Sequence, residues 1–599
     1  MVKQHKQGMS QRDLFFVGGA LVLILGVAYL LGQGSGATVD PGKIEVSTLE
    51  DDRLYTGVAD EYDDSAPKSR PERKPLPPEE LKPIAPLPQA PNLRVYFNQN
   101  HASTYTDPYR QIRRYGDDLE AIVVAEVNKA QTSLDLAVHE LNLPHIAQAI
   151  AARSRAGVRV RLIMENAYTR DVGQFTPTDL AQLNERDRDR AEQLRRYIDI
   201  DNDGRLTPAE LAERDALYIL NQQGVPWIDD TADGSKGSGI MHDKYLLIDG
   251  QTLITGSTNL TYSDVHGDRD APDTRGNNNN LLVITSPALV ALYRRDFEQM
   301  WGDGPGGLPD SRFGSRKTPS PLVPQAVGDI AVAVQFSPMG ARVPQAMTTN
   351  GSVAQALSEA TASVHLALFV FSSQELTDTL AALHQSRPGV EIAGVFDPGF
   401  SYRAFSETLD LWGVSLPDRN CTLEANNHPW TQPLRTIGVP VLPVGDKLHH
   451  KFAVVDGRIV ITGSHNWTQA ANRQNDENTL FIDSPVVAAH YEREFARLYR
   501  QSLLRPSRKL LEQVAQVATR CPTVTAKPTG KAEPTAPTPI NSATPADLKA
   551  LPGIGPVTAR ALVEYRTAHG PFHTLEDLQQ VKGFGPKTVL ALAGRVRFD

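Results

Sequence analysis

His242-Asp243-Lys244-Tyr245-Leu246-Leu247-Ile248-Asp249, read beside His449-His450-Lys451-Phe452-Ala453-Val454-Val455-Asp456, decides the fold. In both stretches Lys follows His by two residues and Asp follows it by seven; a Gly-Ser-x-Asn then ends at Asn259 and at Asn466, seventeen residues after each His. The runs after each His are apolar and suited to strands. On a strand residues i and i+2 share a face, so each His and its Lys project together. The Gly-Ser pair marks a turn after the next strand, which brings the Asn back toward the same place.

The similarity extends to both sides of these stretches. Val95-Tyr96-Phe97-Asn98 matches Val334-Gln335-Phe336-Ser337, and 130–137 (AQTSLDLA) matches 360–367 (ATASVHLA) without a gap. Gly157-Val158 opens an apolar run to Glu165, and Gly389-Val390 opens one to Asp397. Helical stretches at 144–155 and 374–386 precede these runs. Two copies of a strand–helix–strand unit predict an α/β fold with largely buried sheets.

Two H-x-K-x4-D motifs, each followed by G-S-x-N, resemble the phospholipase D superfamily over about 93–503. The resemblance implies two repeats packed face to face as a pseudo-twofold pair of α/β/α sandwiches, with one site between them, so that a monomer carries a complete active site. It implies a catalytic set of His242, Lys244, Asp249 and Asn259 with His449, Lys451, Asp456, Asn466 and Glu477. The family's usual order makes His242 the nucleophile and His449 the general acid and base.

The residue types suit that chemistry. A phosphodiester is anionic and requires in-line attack, charge neutralisation and a protonated leaving group. One histidine attacks phosphorus and forms a phosphohistidine; the other protonates the leaving oxygen and then activates water. Lys244 and Lys451 supply positive charge, and Asn259 and Asn466 can donate to non-bridging oxygens. The scheme requires no catalytic metal. One departure stands out: Asn279 aligns with Glu477, the downstream Glu that orients a histidine in this family. An amide cannot support an imidazolium as a carboxylate does, so the two histidines are expected to differ electrostatically.

The first repeat is longer by about 25 residues, with an insertion near 178–222. Asp199-Ile200-Asp201-Asn202-Asp203-Gly204-Arg205-Leu206-Thr207-Pro208-Ala209-Glu210 resembles an EF-hand loop. That resemblance implies Ca2+ bound by Asp199, Asp201, Asp203, the Arg205 carbonyl, Thr207 and Glu210, weakly, at about 10⁻⁴ to 10⁻³ M, and in a structural role. Helices are predicted over 180–197 and 208–220.

The last sixty residues change character. Gly553-Ile554-Gly555 and Lys582-Gly583-Phe584-Gly585-Pro586-Lys587 lie between helical stretches and resemble the tandem helix-hairpin-helix module of competence DNA receptors and repair proteins. Glycines there leave backbone N–H groups at helix N-termini free for phosphate, with Lys582 and Lys587 adding charge. Such contacts read the DNA backbone, independently of sequence and with strong salt dependence.

At the other end, residues 14–32 carry no charge, follow Lys3, Lys6 and Arg12, and precede Asp40, Glu45 and Glu50. Nineteen residues span roughly 28 Å of bilayer. Positive charge stays inside, so the rest is expected to be periplasmic or extracellular, anchored by one transmembrane helix, or secreted if this segment is a cleaved signal peptide. The predicted organisation is 1–33 anchor, 34–92 Pro-rich linker, 93–303 first repeat, 304–328 linker, 329–503 second repeat, 504–539 linker and 540–599 helix-hairpin-helix. Cys421 and Cys521 fit no zinc spacing; two free thiols and one disulfide both remain open.

Net charge is −9 over 599 residues, with a pI near 6.0, which excludes a globally basic nucleic-acid coat. A membrane-tethered DNA endonuclease with calcium as a structural partner is the expected function. The alternatives are a phospholipase D or cardiolipin-synthase-like phosphatidyltransferase, and a non-catalytic DNA receptor for uptake.

Overall fold

The computed structural model describes residues 83–526, apart from 236–238 and 425–426, and most of 538–581 together with 592 and 596–598. Residues 14–32 lie outside the described residues. So do 553, 555, 582, 583, 585 and 587, on which the DNA-binding reading of the C-terminal module falls. Among the described residues no helix is long and apolar enough to cross a membrane.

Each repeat builds one mixed sheet. In the first, the strand order is Leu93–Phe97, Asn280–Thr285, Thr252–Gly256, Lys244–Ile248, Ser133–Val138, Arg159–Met164, Trp227–Asp229. The second repeats this order as Ile330–Ser337, Glu477–Asp483, Ile459–Gly463, Lys451–Val455, Ser363–Leu368, Glu391–Phe396, Ile437–Pro440, with one further short strand at each edge. Ser133–Val138 pairs parallel with Arg159–Met164 through helix Pro144–Arg155, as Ser363–Leu368 pairs with Glu391–Phe396 through Gln374–Ser386. The central strands are buried on both faces, which explains their continuous apolar runs.

The repeats share one core. Helix Pro287–Trp301 packs on its own sheet and on Ile330–Ser337; helix Pro485–Arg500 does the reverse, on Leu93–Phe97. Tyr293 lies edge-on to Tyr245 and Phe336, both at 5.0 Å, and Tyr491 to Phe452 at 5.0 Å and Phe97 at 5.3 Å. Their hydroxyls cross the interface, Tyr293 to Asn478 Oδ1 at 3.1 Å and Tyr491 to Asn280 Oδ1 at 3.2 Å. Buried aromatics of this kind contribute packing, and their hydroxyls need partners, so the contacts fix the register of one repeat on the other.

The predicted linkers need correction. Residues 304–328 are packed: Phe313 is buried, Gln325–Val327 adds a strand to the second sheet, and Lys317 is buried between Asp296 and Asp476 at 2.9 Å from each. Gly and Pro richness marks irregular backbone there and not a free spacer. Residues 83–92 pack as well: His490 Nε2 lies 3.1 Å from the Pro88 carbonyl, and Arg493 donates to the Ala85 carbonyl at 2.9 Å. Within 504–539, Arg508–Arg520 is a helix.

Two compact units emerge, one running to Leu416 and resuming over His428–Arg520, the other holding Pro417–Asn427 and the chain from Cys521. The cysteine question resolves within the second unit, where Cys421 and Cys521 form a disulfide across 100 residues of sequence. In the same unit Ile540, Leu548, Leu551, Ile554, Leu562, Phe572, Leu578 and Val581 form a small core around helix Pro556–His569.

Candidate active site

The two His-x-Lys strands start where the repeats meet, and backbone hydrogen bonds across that seam set both histidines. The His242 amide donates to the Asp476 carbonyl at 2.9 Å, and the His449 amide to the Asn278 carbonyl at 3.1 Å. The preceding residues are held within each repeat by acids at strand ends: Glu165 Oε2 accepts from the Met241 amide at 2.7 Å, and Asp397 Oδ2 from the Leu448 amide at 2.9 Å. Burial raises Glu165 to about 7 and Asp397 to about 6.

Each imidazole takes its Nδ1 partner from the other repeat. His242 Nδ1 lies 2.7 Å from Glu477 Oε2, and His449 Nδ1 lies 2.9 Å from Asn279 Oδ1. The predicted inequality at 279 and 477 is therefore real at the hydrogen-bonding atoms. A carboxylate not anticipated from sequence partly offsets it: Asp264 Oδ1 is 3.3 Å from His449 Nδ1 and accepts from the Asn279 amide at 2.8 Å. Its other oxygen accepts from the Asn259 amide at 2.7 Å, so Asn259 has one N–H committed inside the protein and not to substrate. The Oδ1 atoms of Asn259 and Asn466 are buried without a partner.

The lysines bend back symmetrically. Lys244 Nζ donates to the His242 carbonyl and Lys451 Nζ to the His449 carbonyl, both at 2.7 Å. Burial, then the charges of Lys244 and Lys451, pushes both histidines well below the ordinary imidazole range. Burial lowers Lys244 to about 8 and sets Lys451 well below its usual value, with the Lys244 charge as the next cause. Two lysines and two histidines thus lie within electrostatic reach of one another, and their cationic forms are disfavoured until an anion enters. A phosphodiester supplies that charge. Burial raises Glu477 to about 7, opposed by His465 and Lys244.

The Gly-Ser turns are dictated by close approach. A Cβ on Gly256 would meet the Asn280 carbonyl oxygen at 2.3 Å, and one on Gly463 the Asn478 oxygen at 2.3 Å. Ser257 then donates to Asn279 Oδ1 at 2.8 Å, fixing the amide so that its oxygen faces His449.

Asp249 and Asp456, grouped above with the catalytic residues, are not in the gap. Asp249 accepts from the amides of Gln131, Thr132 and Ser133 at 2.7–2.9 Å. Asp456 accepts from those of Thr361, Ala362 and Ser363 at 2.7–2.9 Å. Both have positive φ, 52° and 53°, at the turn that ends the strand. Five residues beyond the Lys, the strand has carried the chain about 16 Å away. These aspartates lock the turn onto the neighbouring strand. Asp249→Ala is therefore expected to cost about 1–3 kcal/mol of stability, read as a lower Tm, with kcat of the folded fraction unchanged.

Residues overlooked in the sequence also flank the histidines. The His139 ring lies 4.7 Å from that of His242 and Phe369 lies 4.7 Å from His449, at equivalent strand ends. Both stand two residues past the matched octapeptides, which was the available signal.

In the insertion, Asp199, Asp201 and Asp203 each offer a carboxylate oxygen within 4.8 Å of the others. Asp199 is 9% exposed and its Oδ1 has no partner. The donor set is all oxygen and fits a hard cation. Thr207 and Glu210 are engaged differently from the reading above: they form a capping box on helix Pro208–Arg214, with Glu210 also accepting from the Ile200 amide at 2.8 Å. The predicted flanking helices appear broken in two, as Pro177–Gln182 with Glu185–Ile198 and Pro208–Arg214 with Ala216–Gln223.

The family profile described as "Cardiolipin synthase, PLD-like domain" matches residues 123–301 and 353–499, and a helix-hairpin-helix profile matches 539–597. The chain is similar to the mitochondrial cardiolipin hydrolase of Xenopus laevis, 34% identical over 141 residues, covering 23% of this chain and 55% of the relative. It thus spans about half the length of that relative. It is also similar to ComE operon protein 1 of Bacillus subtilis, 43% identical over 49 residues, covering 8% of this chain and 24% of that protein. Among solved structures, Nuc of Salmonella typhimurium, a phospholipase D family member, aligns at 20% identity over 36% of this chain and 95% of its own, with a TM-score of 0.20.

Proposed function

Because the chain belongs to the phospholipase D-like family, we propose that it is an extracytoplasmic DNA nuclease, a phosphodiesterase that works through a phosphohistidine. The observation that carries this reading is the helix-hairpin-helix match at 539–597 on the same chain as a two-histidine phosphodiester site. A lipid enzyme has no evident use for such a module. The disulfide supports an oxidising compartment, in keeping with residues 14–32 as an anchor.

His242 is the nucleophile. Its Nδ1 partner is the carboxylate of Glu477, which favours the tautomer whose Nε2 carries the lone pair. Nε2 attacks phosphorus in line, while Lys244 and Lys451 neutralise the equatorial oxygens. His449 gives the Nε2 proton to the leaving oxygen, then takes a proton from the water that hydrolyses the P–N bond.

Full-length protein in detergent, incubated with plasmid DNA and separately with phosphatidylglycerol vesicles, tests the reading. The expected result is plasmid cleavage that persists in EDTA. Release of phosphatidic acid with intact plasmid would instead favour the lipid alternative, which the cardiolipin-hydrolase relatives bring forward. DNA binding without cleavage, unchanged by His242→Ala, would favour the receptor.

The cluster of Asp199, Asp201 and Asp203 is read as a structural calcium site. Millimolar Ca2+ is expected to raise Tm by a few degrees, and Asp201→Ala to remove that rise. A Tm indifferent to Ca2+ would eliminate the site.

A further inference from the structure

We propose that Asp264 is the positioning residue that lets His449 carry and deliver a proton, standing in for the acid that position 279 lacks. The proposal rests on the reading of this gap as a two-histidine phosphodiester centre and assigns a division of labour inside it.

The internal repeat provides the comparison. In register, Gly256 pairs with Leu281 and Gly463 with Thr479, so Asn279, just before its strand, and Glu477, at the start of the other, are equivalent positions. The residue five beyond the motif asparagine is Asp264 in the first repeat and Ala471 in the second. Both sit on a short helix whose capping threonine accepts from their amide, Thr261 for Asp264 at 3.2 Å and Thr468 for Ala471 at 3.0 Å. Each repeat thus offers one carboxylate to the opposite histidine, from the strand in one case and from the helix in the other. The exchange of Asn/Asp for Glu/Ala is reciprocal.

The contacts fit that role. Asp264 Oδ1 is 3.3 Å from His449 Nδ1, and it accepts from Asn277 at 3.0 Å and Asn279 at 2.8 Å. Asn279 Oδ1 is the closer Nδ1 partner at 2.9 Å. The imidazole therefore donates to an amide whose far side is held by the carboxylate, with the carboxylate itself just behind.

The charges facing His449 show why this matters. Lys451, Lys244, His242 and Lys447 all oppose its protonation. A general acid must nevertheless hold a proton on Nε2 when substrate arrives. Asp264, 3.3 Å from its Nδ1, and the bound phosphodiester supply negative charge beside it. In the first step P–Nε2(His242) forms, P–O breaks, and the His449 Nε2 proton goes to the leaving oxygen. In the second, water oxygen attacks phosphorus, its proton returns to His449 and the P–N bond breaks.

Asp264→Asn separates this role from a merely structural one, because an aryl leaving group does not need the proton. With unmodified protein as reference, D264N is expected to lower kcat on DNA by about 10²-fold or more, and on bis(p-nitrophenyl) phosphate by only a few-fold. The alkaline limb of the pH–rate profile moves to lower pH, and the NMR titration of His449 falls with it. N279D added to D264N restores both. N279D alone, which leaves the Asp264 turn intact, moves the limb and the titration upward and serves if D264N does not fold. Equal losses on the two substrates, or a His449 titration unmoved by either variant, would overturn the proposal. If the unmodified protein cleaves the aryl diester and no DNA, the DNA reading fails, and the histidine titration still decides the role of Asp264.

Discussion

His242→Ala is expected to abolish phosphodiester cleavage, with a loss of at least about 10⁴-fold, because the proposed mechanism makes it the covalent nucleophile. The reason is local. His242 is the imidazole with a carboxylate directly on Nδ1, at 2.7 Å from Glu477, which makes its Nε2 the better nucleophile. His449→Ala behaves differently. On the proposed assignment it removes the acid for a poor leaving group and the base for water, with an expected cost of about 10²–10⁴-fold on DNA. An aryl diester still phosphorylates His242, and that adduct persists because nothing activates water. Intact-mass spectrometry after a neutral quench detects it. An adduct on H242A and none on H449A would exchange the two roles.

Lys317→Met produces the largest loss of stability. The ammonium lies 2.9 Å from Asp296 and 2.9 Å from Asp476, both almost wholly buried. Its charge also lowers Asp243, which burial nevertheless raises to about 8. Removing the cation leaves carboxylates buried without a counter-charge, at about 3–5 kcal/mol. That is a large part of a typical total of about 5–15 kcal/mol, so Tm is expected to fall by about 3–6 °C in a unit of this size. The sign with pH follows from the partners. Acid pairing raises Lys317 above the ordinary lysine value, so its contribution is complete below about pH 10 and is lost as pH rises beyond. The uncompensated carboxyls of the variant favour protonation, so its deficit shrinks as pH falls. Catalysis suffers too, since the Asp476 carbonyl receives the His242 amide at 2.9 Å. A Tm within a degree of the unmodified protein would contradict this.

The same lysine shows why part of the architecture escaped the linear reading. Residues 304–328 have the Gly, Pro and Ser content of a spacer, and composition reports only that the backbone is irregular. Whether irregular backbone is free or packed depends on what lies against it. Here that is Asp296, Asp476 and the core around Phe313. Asp249 and Asp456 misled in the opposite sense. Their fixed spacing from the histidines is real, but on a strand that spacing carries them to the far end, where they tie the turn to residues 131–133 and 361–363.

What the amino-acid sequence determined by itself is everything with a short period: His beside Lys on one strand face, the Gly-Ser turn that admits no Cβ, the strand–helix–strand unit and its repetition. Only the tertiary structure decided which group supports which histidine. Glu477 meets His242 across 235 residues and Asn279 meets His449 across 170, and Asp264 enters from a helix where its counterpart is Ala471. Side-chain periodicity encodes the face a residue occupies. It carries no information about what the other repeat brings to that face, because that is settled by the packing of two sheets around one buried core.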